Sequence, residues 1–233
     1  MKKVLLYSGG MDSWLIDKLW EPDIKLYVNM NTEYSNWEIA RLPKDVDVVD
    51  LPLGQYSLDN SIIPLRNLYL FLTACNVTYF EDVEICLGAL DGDRINDKSQ
   101  EFVDLLNPLL EYLYQEQISQ PGRYVKAVMP YKKCSKRELL EMYVAKGGNL
   151  DEVWYNTFSC YHPKIGTPCL DCKACFRKAI PFIVAGREFT ELEKEKIKSY
   201  VNRVVVSNID DYVKDKGKEG EDCKRALAII ETW

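Results

Sequence analysis

The chain has 233 residues, 47% of them apolar and 28% charged, with a formal net charge of −6. That is enough chain to bury a full core as one domain with a small appendage. The acidic balance argues against a general nucleic-acid binder, which carries a basic excess, and with no apolar run of about 18 residues no membrane span is expected.

The N-terminus enters a strand almost at once and lacks the shape of a signal peptide, so a cytoplasmic protein is expected. The first strand reads over residues 4–7 and is followed by Ser8-Gly9-Gly10-Met11-Asp12-Ser13, then by apolar spacing that suits a helix over 13–20. A strand that turns through two glycines into a helix start makes an anion site. Gly9 and Gly10 allow close backbone approach, while Ser8, Ser13 and the first-turn N–H groups supply donors on the positive end of the helix dipole. Asp12 is the odd member, because a carboxylate repels phosphate unless a divalent cation lies between them. It reads as a Mg²⁺-side contact or a helix cap, with magnesium holding phosphates in either case. The stretch is not the Walker pattern, which needs a longer glycine loop ending in Lys-Ser or Lys-Thr.

Further along, strands are expected over 24–30, 45–51, 84–90 and 124–129, and helices over 38–42, 65–79, 99–117 and 136–145. This alternation predicts an α/β fold, a doubly wound parallel five-stranded sheet of Rossmann-like type with helices on both faces. In such sheets ligands bind beyond the carboxyl ends of the strands. From Asn149 to Cys175 proline, glycine, cysteine and aromatics show no clear period, which predicts a structured loop region. A helix limited or kinked by Pro181 is expected over 177–186, and a charged helix over 190–203 behind the capping box Thr190-x-x-Glu193. Residues 210–233 read as helical at both ends, interrupted around 217–220. The expected division is an α/β domain carrying the glycine turn over 1–148 and a cysteine-bearing helical region over 149–233. That last third reads either as an appendage packed on the α/β body or as an element that mediates dimerisation, so a homodimer is one expectation.

Cys160, Cys169, Cys172 and Cys175 form C-x8-C-x2-C-x2-C, four of the chain's eight cysteines. In a reducing compartment this is not a disulfide framework. Four clustered thiolates can close a tetrahedral shell around Zn²⁺ and leave no position for water, which makes a structural metal site. An iron–sulfur cluster is the alternative that ligand type alone leaves open. Cys75, Cys86, Cys134 and Cys223 read as isolated core or surface thiols. His162, the sole histidine, lies between the first two cysteines of the cluster and reads as loop-exposed or substrate-facing. With one histidine, no Ser-His-Asp or His-based metal hydrolase can be built.

Two segments together carry a family resemblance. The opening turn resembles the S-G-G-x-D-S loop of the PP-loop ATP-pyrophosphatases, which split ATP between its α and β phosphates. Phe158-Ser159-Cys160-Tyr161, followed by the C-x-x-C-x-x-C-x-x-R stretch from Cys169 through Arg177, resembles the zinc-binding tail of the 7-cyano-7-deazaguanine synthases. Ile63-Pro64-Leu65-Arg66-Asn67, the pair of segments beginning at Leu87 and Asp97, and Pro130 through Glu138 resemble that family's intermediate motifs in the right order. The likeness spans most of the first 180 residues.

The resemblance implies a fold of the adenine nucleotide alpha hydrolase type and a ligase using ATP, Mg²⁺ and Zn²⁺. Such an enzyme adenylylates 7-carboxy-7-deazaguanine, and ammonia then takes the acid to 7-cyano-7-deazaguanine. Tyr7 through Ser13 would bind ATP, with Ser8, Asp12, Ser13, Arg66 and Lys98 in catalysis. Arg66, Asn67, Asp91 and Asp97 would hold substrate, because a carboxylate matches the two-donor edge of a guanine-like ring. Lys132, Lys133 and Lys136 are further candidates for positive charge. Partners would be the deazaguanine carboxylate and ammonia or another amine, with no direct nucleic acid and no membrane. Two stretches depart from the family pattern. Asn31 through Glu38 stands where a Y-G-Q-x-H-type segment is usual, and Asp91 through Lys98 replaces a Y-S-G-Y-P-D-C-R-type loop. Both shape the acceptor side, so three alternatives stay open: joining the carboxylate to another amine, on a protein for example; tRNA thiolation, against which the acidic charge speaks; and a non-catalytic zinc-stabilised nucleotide-binding module.

Overall fold

The computed structural model describes residues 1–58, 62–160, 162 and 167–233. It contains five parallel strands: β1 (Lys2–Leu6), β2 (Ile24–Asn29), β3 (Asp47–Asp50), β4 (Val83–Leu87) and β5 (Val125–Val128). They form one sheet in the order β3-β2-β1-β4-β5. β1 is central, with Leu5 facing Lys25 of β2 on one side and Cys86 of β4 on the other. Val4, Leu5, Leu6, Ile85, Cys86 and Leu87 are all buried. A strand covered on both faces has no reason to alternate polar and apolar residues, which is why these segments read as continuous apolar runs.

The helices between strands are α1 (Met11–Trp20), α2 (Ser35–Ile39), α3 (Arg66–Val77) and α4 (Gln100–Leu113). Beyond β5 come α5 (Lys136–Ala145), α6 (Leu150–Asn156), α7 (Lys173–Val184), α8 (Glu191–Tyr200), α9 (Asp210–Val213) and α10 (Gly217–Glu231).

Two compact units divide the chain. The first comprises Met1–Gly9, Ile16–Ala89 and Asp93–Lys132 and contains the whole sheet. Within it α3 packs on β1, β2 and β4, and α4 packs on β5. The outer strand β5 is pinned by Asn107 of α4, whose side chain donates to Ala127 O at 3.1 Å and accepts from Ala127 N at 2.8 Å. A side chain that pairs both main-chain groups of an edge residue blocks further strand addition there.

The second unit comprises Gly10–Leu15, Leu90–Gly92 and Lys133–Trp233. Its centre is α7, where Phe176, Ala179, Ile180, Phe182 and Ile183 are buried. α8 starts on the expected capping box, with Thr190 accepting from Glu193 N and Glu193 accepting from Thr190 N. Arg187 is buried there, donating to Asp151 Oδ1 at 2.8 Å and lying 4.6 Å from the Trp154 ring centre.

Four local expectations change. The stretch from Asn149 is not all loop. α6 forms because the Asn149 side chain accepts from Asp151 N and Glu152 N, a cap on a helix too short to show a period. α7 begins at Lys173, capped by Cys172, and runs through Pro181 to Val184 rather than ending there. The charged helix ends as α8 at Tyr200 and passes into a π-helical turn over Val201–Val205. Gly217 and Gly220 lie inside α10, and the break falls before them. A Cβ on Gly220 would stand 2.5 Å from Val213 O, so glycine there answers to close packing and not to a helix end.

Candidate functional site

The order in which strands are added reverses at β1. The chain winds outward to β2 and β3, then crosses back to place β4 on the other side of β1. A crevice opens at such a switch point beyond the carboxyl ends of the two diverging strands. The glycine turn leaves β1 at that end. Gly9 adopts φ +72°, a conformation that costs a glycine little, and carries the backbone from the strand toward α1. Trp14 N donates to Gly10 O at 3.0 Å as the first helical bond, and the buried Ser13 hydroxyl donates to the same oxygen at 3.1 Å. The N–H groups of residues 11–13 therefore open the helix, where an anion is favoured. Ser8 is exposed, Tyr7 and Met11 are buried, and Asp12 is half-buried in the first turn.

Asp12 does not stand alone. Lys136, the first residue of α5, donates to both of its carboxylate oxygens, at 2.5 Å to Oδ1. Lys136 is placed by the Ser135–Glu138 capping box, in which the buried Ser135 accepts from Glu138 N and donates to Asp222 Oδ2 at 3.2 Å. Of the lysines singled out in sequence, this one is brought to the glycine turn's acid. Lys132 donates to Asp93 O at 3.3 Å, Lys98 reaches Asp93 Oδ2 at 3.4 Å, and Lys133 is exposed.

The other expected substrate residues have main-chain partners. Asp97 accepts from Asn67 N at 3.1 Å and from Asn67 Nδ2 at 2.9 Å, and so caps α3, whose preceding residue, Leu65, is left-handed at φ 57° and offers no side-chain cap. Arg66 is exposed at the head of that helix. Asp91 accepts from Lys218 N at 2.8 Å, and a Cβ on Gly217 would stand 2.7 Å from Asp91 Oδ2. Asp91 thus holds the first turn of α10.

One acidic group escaped sequence reasoning. The Tyr27 hydroxyl donates to Glu38 Oε2 at 2.7 Å, with Tyr27 buried on β2 and Glu38 half-buried on α2. Burial raises the Glu38 carboxyl above its ordinary range, against the pull of Tyr27 and of the Arg66 charge. Burial and the Glu38 charge raise the Tyr27 phenol. The only signal in the sequence was that Asn31 through Glu38 departs from the family pattern.

The four cluster cysteines come together. Their sulfurs all lie within 4.8 Å of one another, with Cys160–Cys169 at 3.5 Å and Cys169–Cys175 at 3.9 Å. A tetrahedral shell with Zn–S bonds of about 2.3 Å has sulfur–sulfur edges of about 3.8 Å, so the group can hold a metal of that kind. Main-chain N–H groups point at the sulfurs: Cys169 N at Cys160 and Asp171 N at Cys169, both 3.3 Å, and Cys175 N at Cys172, 3.5 Å. Leu170, at φ 57°, turns the chain between two of these contacts. Burial pushes the Cys169 thiol up to about 11, and hydrogen bonding to Cys172 together with burial raises Cys175 further. Four thiolates are held at neutral pH in such a place only by a cation. His162 is exposed and outside the cluster, and Tyr161 lies outside the described residues.

Behind the cluster, Lys178 is buried with its ammonium donating to Trp154 O at 2.7 Å and Thr157 O at 2.6 Å. Burial depresses its pKa to about 7. Arg177 clasps Glu219 with two bonds of 2.9 and 3.0 Å, tying α7 to α10.

A family model described as "Queuosine biosynthesis protein QueC" matches residues 22–186. That stretch includes Glu38, Arg66, Asp97, Lys136 and the four cysteines, while the glycine turn precedes it. Among curated proteins, the chain is 26% identical over 132 residues to the 7-cyano-7-deazaguanine synthase of Leptospira biflexa, covering 55% of this chain and 52% of that protein. It is 26% identical over 224 residues to the 7-cyano-7-deazaguanine synthase of a Marinomonas species, covering 80% and 95%. It is 25% identical over 210 residues to 7-cyano-7-deazaguanine synthase 1 of Colwellia psychrerythraea, covering 75% and 90%. The matched segment spans about half the length of the Leptospira biflexa protein and nearly all of the other two.

Proposed function

Since the chain belongs to the QueC family, we propose that it is an ATP-dependent ligase that adenylylates 7-carboxy-7-deazaguanine and, with ammonia, converts it to 7-cyano-7-deazaguanine. The observation that carries this reading is the left-handed Gly9 in the turn that leaves β1 at the sheet's switch point, together with the pairing of Asp12 and Lys136. A carboxylate resists nucleophiles until one of its oxygens joins a good leaving group. In this reaction that oxygen attacks the α-phosphorus of ATP and pyrophosphate departs. Ammonia then adds at the acyl carbon and AMP leaves, giving the amide. A second ATP activates the amide oxygen, and loss of that oxygen with AMP leaves the nitrile.

The protein's part is to position two anions and neutralise the departing charge. Ser8, Gly9, Gly10 and the first-turn N–H groups of α1 would take the pyrophosphate, and Ser13 holds Gly10 in place. Mg²⁺, when bound with ATP, would supply charge neutralisation on the phosphates. Asp12, whose two oxygens are engaged by Lys136, would be the ligand for such an ion, and Lys136 would supply positive charge to the phosphates. Arg66 at the head of α3 would face the acceptor carboxylate. The cysteine cluster would hold Zn²⁺ as a structural ion, since all four positions are protein sulfur.

The departures at residues 31–38 and 91–98 support a second reading, in which the same adenylylation ends at an amide with another amine. The test is pyrophosphate release from ATP with 7-carboxy-7-deazaguanine and ammonium, with a mass spectrum of the product. A nitrile formed only when all three are present is expected. Amide with a different amine would select the second reading, and no turnover with any deazaguanine would leave a binding module.

A further inference from the structure

We propose that Glu38 is the acceptor for the exocyclic amino group of a bound purine-type base, either the adenine of ATP or the deazaguanine; this rests on the ligase reading above. Glu38, on the helix that follows β2, is an acid that the structure leaves with acceptor capacity. An ionised carboxylate accepts about four hydrogen bonds. Glu38 receives a single one, from Tyr27, and that bond fixes Oε2. Among the described residues Oε1 has no partner, and it does not appear among the buried unpartnered atoms, so it stays open to a ligand. The two acids expected from sequence to read such an edge also accept main-chain N–H bonds, Asp97 at the start of α3 and Asp91 at the start of α10.

The location suits the role. β2 neighbours β1 in the sheet, and the segment after β2 returns past Glu38 to place Leu42 Cδ2 3.5 Å from where a Cβ on Gly9 would stand. The acid is therefore carried on the excursion that lies against the glycine turn. Burial raises the Glu38 carboxyl, the Tyr27 bond and the charge of Arg66 oppose that rise, and among the described residues Arg66 forms no ion pair with Glu38. Burial makes Glu38 short of donors, and an N–H from an amino group supplies one, as the adenine N6 amine does elsewhere.

Calorimetric titration of the zinc-loaded protein tests this without turnover. ATP is compared with purine riboside triphosphate, which lacks the 6-amino group, and 7-carboxy-7-deazaguanine with its analogue lacking the 2-amino group. The wild type should prefer the aminated member of one pair by roughly 10- to 100-fold, the range of a charge-assisted hydrogen bond. Glu38→Ala, which removes both acceptor oxygens, should erase that preference and leave the other pair unchanged; Glu38→Gln, whose amide oxygen is a weaker, uncharged acceptor, should reduce it and serves if the first variant does not fold. The pair affected says whether adenine or deazaguanine is read. A wild type without preference, or one whose preference survives in the variants, overturns the inference while leaving the ligase reading intact. Failure of the wild type to bind ATP and the carboxylate overturns both.

Discussion

Lys136 Nζ stands 2.5 Å from Asp12 Oδ1, joining the first turn of α5 to the first turn of α1 across 124 positions of sequence. Neither residue explains itself. Asp12 puts a negative charge in the first turn of α1, and Lys136 is one of several lysines in its stretch. Together they set a carboxylate and an ammonium side by side at the head of α1.

The pair gives the first prediction. Asp12→Ala and Lys136→Met should each lower pyrophosphate release by roughly 100-fold or more, the effect of deleting one preorganised charge contact. Both variants should stay soluble with an unchanged circular dichroism spectrum. Turnover near the wild-type rate in either would take the pair out of the mechanism.

Cys172 supplies a sulfur to the cluster and caps α7 by accepting from Cys175 N. Cys172→Ser should drop zinc from about one per chain toward zero. It should also lower the melting temperature steeply, since a structural site contributes on the order of 10 kcal/mol. Metal analysis with thermal denaturation decides this; full stoichiometry in the variant would defeat the assignment.

Asp91 separates a cap from a substrate contact. If its work is to hold Lys218 N, Asp91→Ala should cost about 1 kcal/mol of stability and leave KM for the deazaguanine within about twofold, a shift of under 0.5 kcal/mol. A KM raised tenfold at unchanged stability would return Asp91 to the substrate.

Lys178 sets a pH dependence. Its folded pKa is depressed to about 7, while the unfolded chain titrates at 10.5. Between those values the unfolded state binds more protons, so stability rises with pH across that window. The penalty for burying the charge is complete below about 7. In Lys178→Met that contribution is absent, so the melting difference between wild type and variant should move in favour of wild type from pH 7 to pH 10, both zinc-loaded. A constant difference would mean that Trp154 O and Thr157 O keep the ammonium charged.

The inner strands β1 and β4 were legible because parallel strands covered on both faces show as short apolar runs, and the expected helix over 136–145 coincides with α5. The cysteine spacing pointed to a metal site because ligand chemistry is local. What sequence did not show depends on distant partners. α6 exists through one asparagine cap, and the glycines of α10 answer to Asp91 and Val213. Asp97 looks like a loop acid until Asn67 comes to it from thirty residues away. Glu38 matters only once Tyr27, eleven residues earlier, turns its hydroxyl toward it.

The central claim is that ATP, gripped at the glycine turn, gives up its α-phosphorus to a carboxyl oxygen. Turnover of 7-carboxy-7-deazaguanine labelled with oxygen-18 in its carboxylate tests it most directly, with the product nucleotide read by mass spectrometry and phosphorus NMR. AMP carrying the label, formed together with pyrophosphate, is the predicted result. ADP as the product, or AMP without the label, would contradict it.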